Sequence, residues 1–197
     1  MDTGMVVLDI SMSLDGFIAL PDDSPGPIHD WYFSGGTRNR YNAAFATSEA
    51  SSPLVDELFE TTGALVVGRR TYDVTGGWGG NHPIPGVPVF VVTHRPPSAP
   101  PEGATRFTFA TDGVKDAVEQ ARAAAGRKNV VVMGGASVAQ QCLAAGLLDA
   151  LQIHLTPVVL GEGVPLFPPG GADRVELEHT RTVDAPDAAH LGYRVKR

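Results

Sequence analysis

Short apolar runs alternate with amphipathic stretches along most of this chain, and their order predicts its secondary structure. Apolar runs predict strands at residues 6–12, 64–67, 87–92, 107–109, 130–133 and 148–159. Apolar residues spaced three and four positions apart predict helices at 54–61, 70–75 and 112–125, and a further helix begins at Ala136. The last two predicted strands, at 175–183 and 190–195, alternate in polarity as an antiparallel pair does.

This order of elements predicts an α/β fold. Strands that alternate with helices favour a mostly parallel central sheet with helices on both faces, so the domain has three layers, and the final pair adds antiparallel strands. Nothing divides the 197 residues, so we expect one domain over 1–197. Its unusual feature is a stretch at about 21–53 that is rich in Pro, Gly, Ser and Asp, which predicts a long loop insertion of the kind that often binds ligands.

Composition excludes several classes of function. The formal net charge of −7 disfavours a nucleic-acid partner. A single cysteine, Cys142, rules out an internal disulfide, and the six histidines are scattered, so we expect no metal site. No apolar run approaches about 20 residues and the first residues do not resemble a signal peptide, which favours a cytoplasmic protein without a membrane partner.

The most informative segment begins at the strand 130–133. This strand has no alternation, as in a strand covered on both faces, and it passes through Gly134 and Gly135 directly into the helix that starts with Ala136 and Ser137. Glycines let the backbone approach a ligand closely, and the first N–H groups of a helix favour an anion such as phosphate. Taken alone, the same pair also suits a tight strand-to-helix turn with close packing.

Two more strand ends carry groups that suit phosphate. The strand 64–67 is followed by Gly68-Arg69-Arg70-Thr71, and the strand 87–92 by Thr93-His94-Arg95. Guanidinium groups bind phosphate through paired donors, although Arg69 and Arg70 also suit a solvated basic pair at a helix start. Three such strand ends predict one nucleotide lying across the edge of a sheet.

These motifs together resemble the dihydrofolate reductase superfamily. The residues that carry the resemblance are 13–19 (SLDGFIA), 68–72 (GRRTY), 91–95 (VVTHR), 133–137 (MGGAS) and 155–163 (LTPVVLGEG), in the family's order over nearly the whole chain. More closely, the chain resembles the branch that contains the reductase domain of riboflavin biosynthesis. The resemblance implies a dihydrofolate-reductase-like fold and NADPH as the cofactor for hydride transfer.

The resemblance also implies roles for individual positions. By similarity, the cofactor phosphates are held by Gly68, Arg69, Arg70 and Thr71. The ribose 2′-phosphate lies at Thr93, His94 and Arg95. The pyrophosphate lies over Gly134, Gly135, Ala136, Ser137 and Val138. The residues that match the family's nicotinamide wall, the side of the site against which the nicotinamide ring lies, are Ile10, Ser11, Ile18 and Ala19. Cations at Arg69 and Arg95 favour NADPH over NADH, because a 2′-phosphate needs positive partners.

The residues expected near the substrate differ from those of folate reductases. The acidic residue that those enzymes share falls near Ser52 here, with Asp56 and Glu57 about one turn further on, so folate is doubtful as the substrate. In the long loop, Asp30 is the candidate proton donor and Trp31 the candidate substrate-binding residue, whereas Asp15 suits a turn. The loop aromatics equally suit packing against one another.

We therefore expect an NADPH-dependent reductase of a small heterocyclic or sugar-linked substrate. The alternatives are the 5-amino-6-(5-phosphoribosylamino)uracil reductase activity of riboflavin biosynthesis, disfavoured because no H-x-E with P-C-x-x-C is present, and a non-catalytic nucleotide-binding protein. The long apolar strand at 148–159 predicts a homodimer, as in the riboflavin-type relatives, or a central strand within one subunit.

Overall fold

A computed structural model describes residues 4–168 and 174–196. The strands are β1 (Val6–Ser13), β2 (Phe17–Ala19), β3 (Thr37–Arg38), β4 (Ala46–Thr47), β5 (Thr62–Gly68), β6 (Val89–Val92), β7 (Phe107–Ala110), β8 (Asn129–Val132), β9 (Ala150–Thr156), β10 (Val164–Pro165), β11 (Leu177–Asp184) and β12 (Ala189–Val195). The helices are α1 (Ser52–Thr61), α2 (Arg69–Val74), α3 (Val114–Ala125) and α4 (Ala136–Ala144), with 3-10 helices at Gly26–Tyr32 and Gly76–Gly80.

Eight strands form one sheet in the order β11-β12-β9-β1-β8-β5-β6-β7. The pairs from β1 through β8, β5 and β6 to β7 are parallel, whereas β9, β12 and β11 pair in antiparallel fashion. The predicted α/β fold with a mostly parallel sheet and antiparallel terminal strands is confirmed.

The backbone contacts divide the chain into two compact units. The first unit contains residues 1–8 and 61–149, and its core is formed by the buried valines and leucines of β5, β6 and β8. The helix α3 covers these strands with its apolar face, which includes Val114, Ala117, Val118 and Ala121. It ends at Ala125, where the predicted helix also ends, and the N–H of Gly126 donates to the carbonyl of Arg122.

The second unit contains residues 9–60 and 150–197. Its strands β9, β12 and β11 follow each other in the sheet, and β2 pairs separately with β10. Because β1 runs through both units, this division does not decide the prediction of one domain over 1–197, which stays a prediction.

Two predicted elements differ from the observed ones. The strand predicted at 148–159 is shorter, because β9 ends at Thr156, before Pro157, which has no N–H to donate to a sheet. The predicted loop at 21–53 contains a 3-10 helix and the β3–β4 pair, which are too short to produce a periodic pattern. The strand β9 lies inside the sheet, between β12 and β1, and this position explains its apolar composition. Because the apolar composition is explained within one subunit, it does not test the homodimer, which stays a prediction.

Candidate functional site

Two glycine turns lie side by side in the first unit, because β5 and β8 are adjacent parallel strands, with Gly68 at the end of β5 and Gly134 and Gly135 shortly after β8. A Cβ built on Gly135 would lie 3.5 Å from the Cα of Gly68, and a Cβ on Gly134 would lie 2.6 Å from Cγ2 of Thr71. Val138 is buried, and its Cγ2 would lie 3.3 Å from a Cβ on Gly68. The structure therefore brings together the two predicted phosphate turns.

The N-terminus of α4 presents backbone N–H groups beside these turns. The carbonyl of Gly135 accepts hydrogen bonds from the N–H groups of Val138 and Ala139, so the helix closes its first turn there. The N–H groups of Ala136 and Ser137 come too early in the helix to have an intrahelical acceptor. Ser137 is exposed, and its hydroxyl accepts a hydrogen bond from Gln141. This end of α4 can therefore donate to an anion.

The predicted cationic residues take different positions. Arg69 donates from Nε to both carboxylate oxygens of Asp73, at 2.8 and 3.0 Å, and from Nη1 to the carbonyl of Arg95. The hydroxyl of Thr93 accepts from the N–H of Arg95 at 3.2 Å, so Arg69 and Thr93 hold the turn after β6 in place. The side chains of His94 and Arg95 are exposed there, and so is Arg70 on α2.

In the second unit, the residues predicted for the nicotinamide wall lie on β1 and β2. Ile10, Ser11 and Ile18 are buried, and Ala19 is half-buried and pairs with Val164 of β10. The hydroxyl of Ser11 accepts a hydrogen bond from the indole Nε1 of Trp31 at 3.0 Å.

The two predicted residues of the long loop point in different directions. Trp31 is 2% exposed and stacks on Tyr32 with ring centroids 3.8 Å apart. It also contacts the rings of His154 and His190, at centroid distances of 4.6 and 4.8 Å. Asp30 is exposed on the same 3-10 helix. Substrate contact by Trp31 and proton donation by Asp30 therefore stay predictions.

Asp15 connects two loops of the second unit. Its carboxylate accepts hydrogen bonds from the hydroxyl of Ser13 at 2.7 Å and from the N–H groups of Leu160 and Gly161, at 3.1 and 2.7 Å. The hydrogen bond from Ser13, with help from the backbone donors, lowers the pKa of Asp15 to about 2. Asp15 therefore fixes the turn after β1, as predicted from the sequence.

A row of buried polar side chains in the second unit was missed by the sequence analysis. Nε2 of His154 lies 3.3 Å from Oδ1 of Asp9, and Nδ1 of His154 lies 2.7 Å from Nδ1 of His190. Nε2 of His190 lies 2.9 Å from the hydroxyl of Ser51, which accepts from Ser48 at 2.9 Å. A carboxyl residue, Asp9, inside the apolar run of β1 was the available signal, but the other members of the row lie 39 or more positions away in sequence.

Burial and neighbouring charges shift several pKa values around this row. Burial, followed by the nearby His154, lowers the pKa of His190 to about 4 and that of His29 to about 4. Burial and the charge of Asp9 raise the pKa of Tyr32 well above 10. These imidazoles are therefore neutral near pH 7, and the phenol keeps its proton.

The comparisons with known proteins agree with this geometry. The family described as the RibD C-terminal domain matches residues 4–188. The chain belongs to this family. Among curated proteins, the uncharacterized protein YwjB of Bacillus subtilis (strain 168) is 29% identical over 163 residues, which are 82% of this chain and 81% of that protein.

Solved structures of low sequence identity share the fold. A putative riboflavin biosynthesis protein from Shewanella sp. PV-4 superposes with a TM-score of 0.72 at 23% identity, covering 98% of this chain and 99% of that one. Dihydrofolate reductase from Enterococcus faecalis, complexed with NADP(H), gives 0.59 at 20% identity over 99% and 98% of the chains. The dihydrofolate-reductase-like fold and the resemblance to the riboflavin reductase branch are thus confirmed.

A third neighbour is the deaminase/5-amino-6-(5-phosphoribosylamino)uracil reductase of Thermotoga maritima. It gives a TM-score of 0.63 at 15% identity, and the match covers 98% of this chain and 57% of that protein. Within the described residues, no helix has the length and apolar character needed to cross a membrane.

Proposed function

We propose that this protein is an NADPH-dependent reductase that transfers hydride to a small heterocyclic or sugar-linked substrate. The observation that carries this proposal is the pair of packed glycine turns at the start of α4, with the Thr93–Arg95 turn after the neighbouring strand β6. Membership of the RibD C-terminal domain family supports it. When bound, the reduced nicotinamide supplies the hydride.

The residues present fit a dinucleotide phosphate. Gly134 and Gly135 carry no side chain of their own, and the N–H groups of Ala136 and Ser137 lie in the first turn of α4, where the helix dipole favours negative charge. Gly68 and Thr71 pack against this turn and hold it in place. These residues would bind the pyrophosphate and orient the cofactor.

The preference for NADPH over NADH depends on the turn after β6. Arg69 is ion-paired with Asp73 and holds the carbonyl of Arg95, so its main contribution is to position the turn. The exposed side chains of Arg95 and His94 would then contact the 2′-phosphate, because they extend from the same turn.

Cofactor affinity tests this proposal. We expect NADPH to bind at least several-fold more tightly than NADH, measured by nucleotide fluorescence or calorimetry. Arg95→Ala should remove most of the difference, and Arg69→Ala should reduce it by releasing the turn. Arg106→Ala is the matched control, since it removes an exposed arginine of the same unit and should leave the preference intact. Equal affinities of the unmodified protein for both nucleotides would contradict the proposal.

A second candidate is 5-amino-6-(5-phosphoribosylamino)uracil reductase activity, which the family membership and the similarity to the Thermotoga maritima protein favour. NADPH consumption should be measured with this pyrimidine and with a panel of pterins, other pyrimidines and quinones. Turnover with the phosphoribosyl pyrimidine alone would support the second candidate. Tight NADPH binding without consumption of any acceptor would indicate a nucleotide-binding protein.

A further inference from the structure

The segment Gly76–Gly80, between α2 and β6, has a backbone conformation that an L side chain rarely adopts. The φ angles of Gly76, Gly77 and Gly79 are 57°, that of Gly80 is 81°, and that of Trp78 is 52°. Glycine adopts such angles freely, whereas a bulky residue is strained there and keeps the angle only where its surroundings hold it. We refer to Gly76–Gly80 as the left-handed segment. Its only side chain, the indole of Trp78, therefore needs a contact that holds it.

The side chain of His82 makes such a contact. The ring centroids of Trp78 and His82 lie 4.6 Å apart, and the ring planes meet at 71°. His82 is 6% exposed, and Trp78 is half-buried. So short a distance suits the smaller ring as the edge of an edge-to-face pair, because the edge of the larger indole would keep the centroids further apart. The imidazole therefore presents its edge to the face of the indole.

One nitrogen of this imidazole lacks an ordinary acceptor. Nδ1 of His82 accepts a hydrogen bond from the N–H of Ile84 at 3.1 Å, so the proton of the neutral ring is on Nε2. Nε2 is buried and has no hydrogen-bond partner among the residues that the structure describes. A buried donor without an acceptor is destabilising, and the face of an aromatic ring accepts N–H groups weakly. The face of the Trp78 indole is in position to be this acceptor.

Other contacts join His82 to the left-handed segment. The carbonyl of Gly80 accepts a hydrogen bond from the N–H of Thr105 at 2.9 Å, and the hydroxyl of Thr105 accepts one from the N–H of His82 at 2.7 Å. A Cβ on Gly77 would lie 2.9 Å from Cε2 of Tyr72, so the segment also packs closely on α2. Release of His82 would therefore loosen the left-handed segment and its contact with the end of α2.

Burial controls the charge of His82. The charged side chains on the adjoining elements are exposed, namely Arg70 and Asp73 on α2, and Glu102 and Arg106 before β7. Burial lowers the pKa of His82 from about 6.5 to about 4. A His82 released into water would regain the ordinary pKa of about 6.5. The open form thus binds a proton more readily than the closed form, so opening becomes more favourable as the pH falls from about 6.5 to about 4.

We propose that the indole face of Trp78 accepts the Nε2–H of His82, and that this contact keeps the left-handed segment closed until His82 takes a second proton from water. In the closed form, the neutral imidazole joins the N–H of Ile84 to the indole. A proton added at Nδ1 removes the acceptor of Ile84 and leaves a cation in a buried site, which is unfavourable. His82 then leaves the site and the segment opens. This inference does not depend on the proposed reductase function.

NMR at pH 7 tests the contact between the two rings. In the ¹⁵N-labelled protein, His82 should be protonated on Nε2, and this proton should lie upfield of its position in Trp78→Ala, because the face of an aromatic ring shields a proton above it. Trp78→Phe should keep most of the shielding. The control Val74→Ala removes a 50% exposed apolar side chain of α2 and should leave the signal unchanged. A missing Nε2 proton, an Nε2 proton that does not respond to Trp78→Ala, or a neutral His82 protonated on Nδ1 would overturn the proposal.

Hydrogen exchange measures the opening through the amides of Asn81 and Ile84, which donate to the carbonyl of Trp78 and to Nδ1 of His82. Trp78→Ala should speed their exchange at least about two-fold, the lower limit for loss of an aromatic pair, and Trp78→Phe should speed it less. Between pH 6.5 and pH 4, protection corrected for the intrinsic rate should fall by up to about 300-fold, the ratio that corresponds to pKa values of about 6.5 and about 4.

Two controls separate this opening from unfolding of the whole chain. In His82→Asn, the protection of Asn81 and Ile84 should change much less with pH, because the amide does not titrate. The amide of Val130 in β8, which donates to the carbonyl of Met5 inside the sheet, should be better protected than both. Equal protection of all three amides would show that the segment opens only when the chain unfolds, and would overturn the proposal. Protection of Asn81 and Ile84 that does not change with pH in the unmodified protein would do the same.

Discussion

Replacing Gly134 by alanine tests whether the two glycine turns are packed as closely as the structure shows. Gly134 has φ of 66°, a left-handed angle that costs an alanine about 1 kcal/mol. Its Cβ would also lie 2.6 Å from Cγ2, 2.8 Å from Oγ1 and 3.2 Å from Cβ of Thr71. Because Thr71 is β-branched, rotating its side chain cannot clear the new methyl group, and backbone must move.

Gly146 provides a matched control at the other end of α4. Its φ is 65°, and nothing lies within 4 Å of a Cβ built there. Its N–H donates to the carbonyl of Leu143 and the N–H of Leu147 to that of Cys142, the pattern of a left-handed glycine after a helix. Gly146→Ala therefore costs about 1 kcal/mol for the angle alone. Gly134→Ala should cost about 1–3 kcal/mol more, the usual penalty for overpacking.

Urea unfolding of the two variants measures this difference, and for a chain of this size each kcal/mol also lowers Tm by about 2–4 °C. The double variant Gly134→Ala/Thr71→Ala should recover part of the loss, because both γ atoms that crowd the methyl group are gone. Equal destabilisation by Gly134→Ala and Gly146→Ala would refute the close packing of Gly134 on Thr71.

Two pH-dependent predictions follow from the shifted pKa values. The pKa of Asp15 is lowered to about 2, so its hydrogen bonds stabilise the fold above pH 4 and are lost between pH 4 and 2. Asp15→Asn should therefore lower Tm at pH 7, and a Tm difference from the unmodified protein that stays constant down to pH 2 would contradict this. Burial lowers the pKa of His82 to about 4. The free energy of unfolding should therefore decrease by up to about 3 kcal/mol as the pH falls from about 6.5 to 4. In His82→Asn the amide oxygen can accept the hydrogen bond from the N–H of Ile84 in place of Nδ1. Urea unfolding at pH 7 and pH 4 should then show a smaller decrease in the free energy of unfolding than in the unmodified protein. An unchanged decrease would refute the role of His82.

The sequence by itself determined the parallel part of the sheet and the glycine turn that follows β8. Unbroken apolar runs fix β5, β6 and β8 because a strand covered on both faces needs no polar positions. The two glycines that follow β8 are required locally, since Gly134 and Gly135 have φ of 66° and 84°. Such features depend on residues that are consecutive in the sequence, and for this reason they could be predicted.

The tertiary structure decided which side chains meet. His154 and His190 are register partners on β9 and β12, and Asp9 lies on β1, 145 positions from His154. Sequence gives the alternation along a strand, but it does not give the register between strands, and a shift of one residue would turn His190 to the other face. Arg69 likewise suits a phosphate in sequence, whereas in the fold it is held by Asp73 and by the turn after β6. Pairing across such separations follows from chain topology, and only the folded chain specifies it.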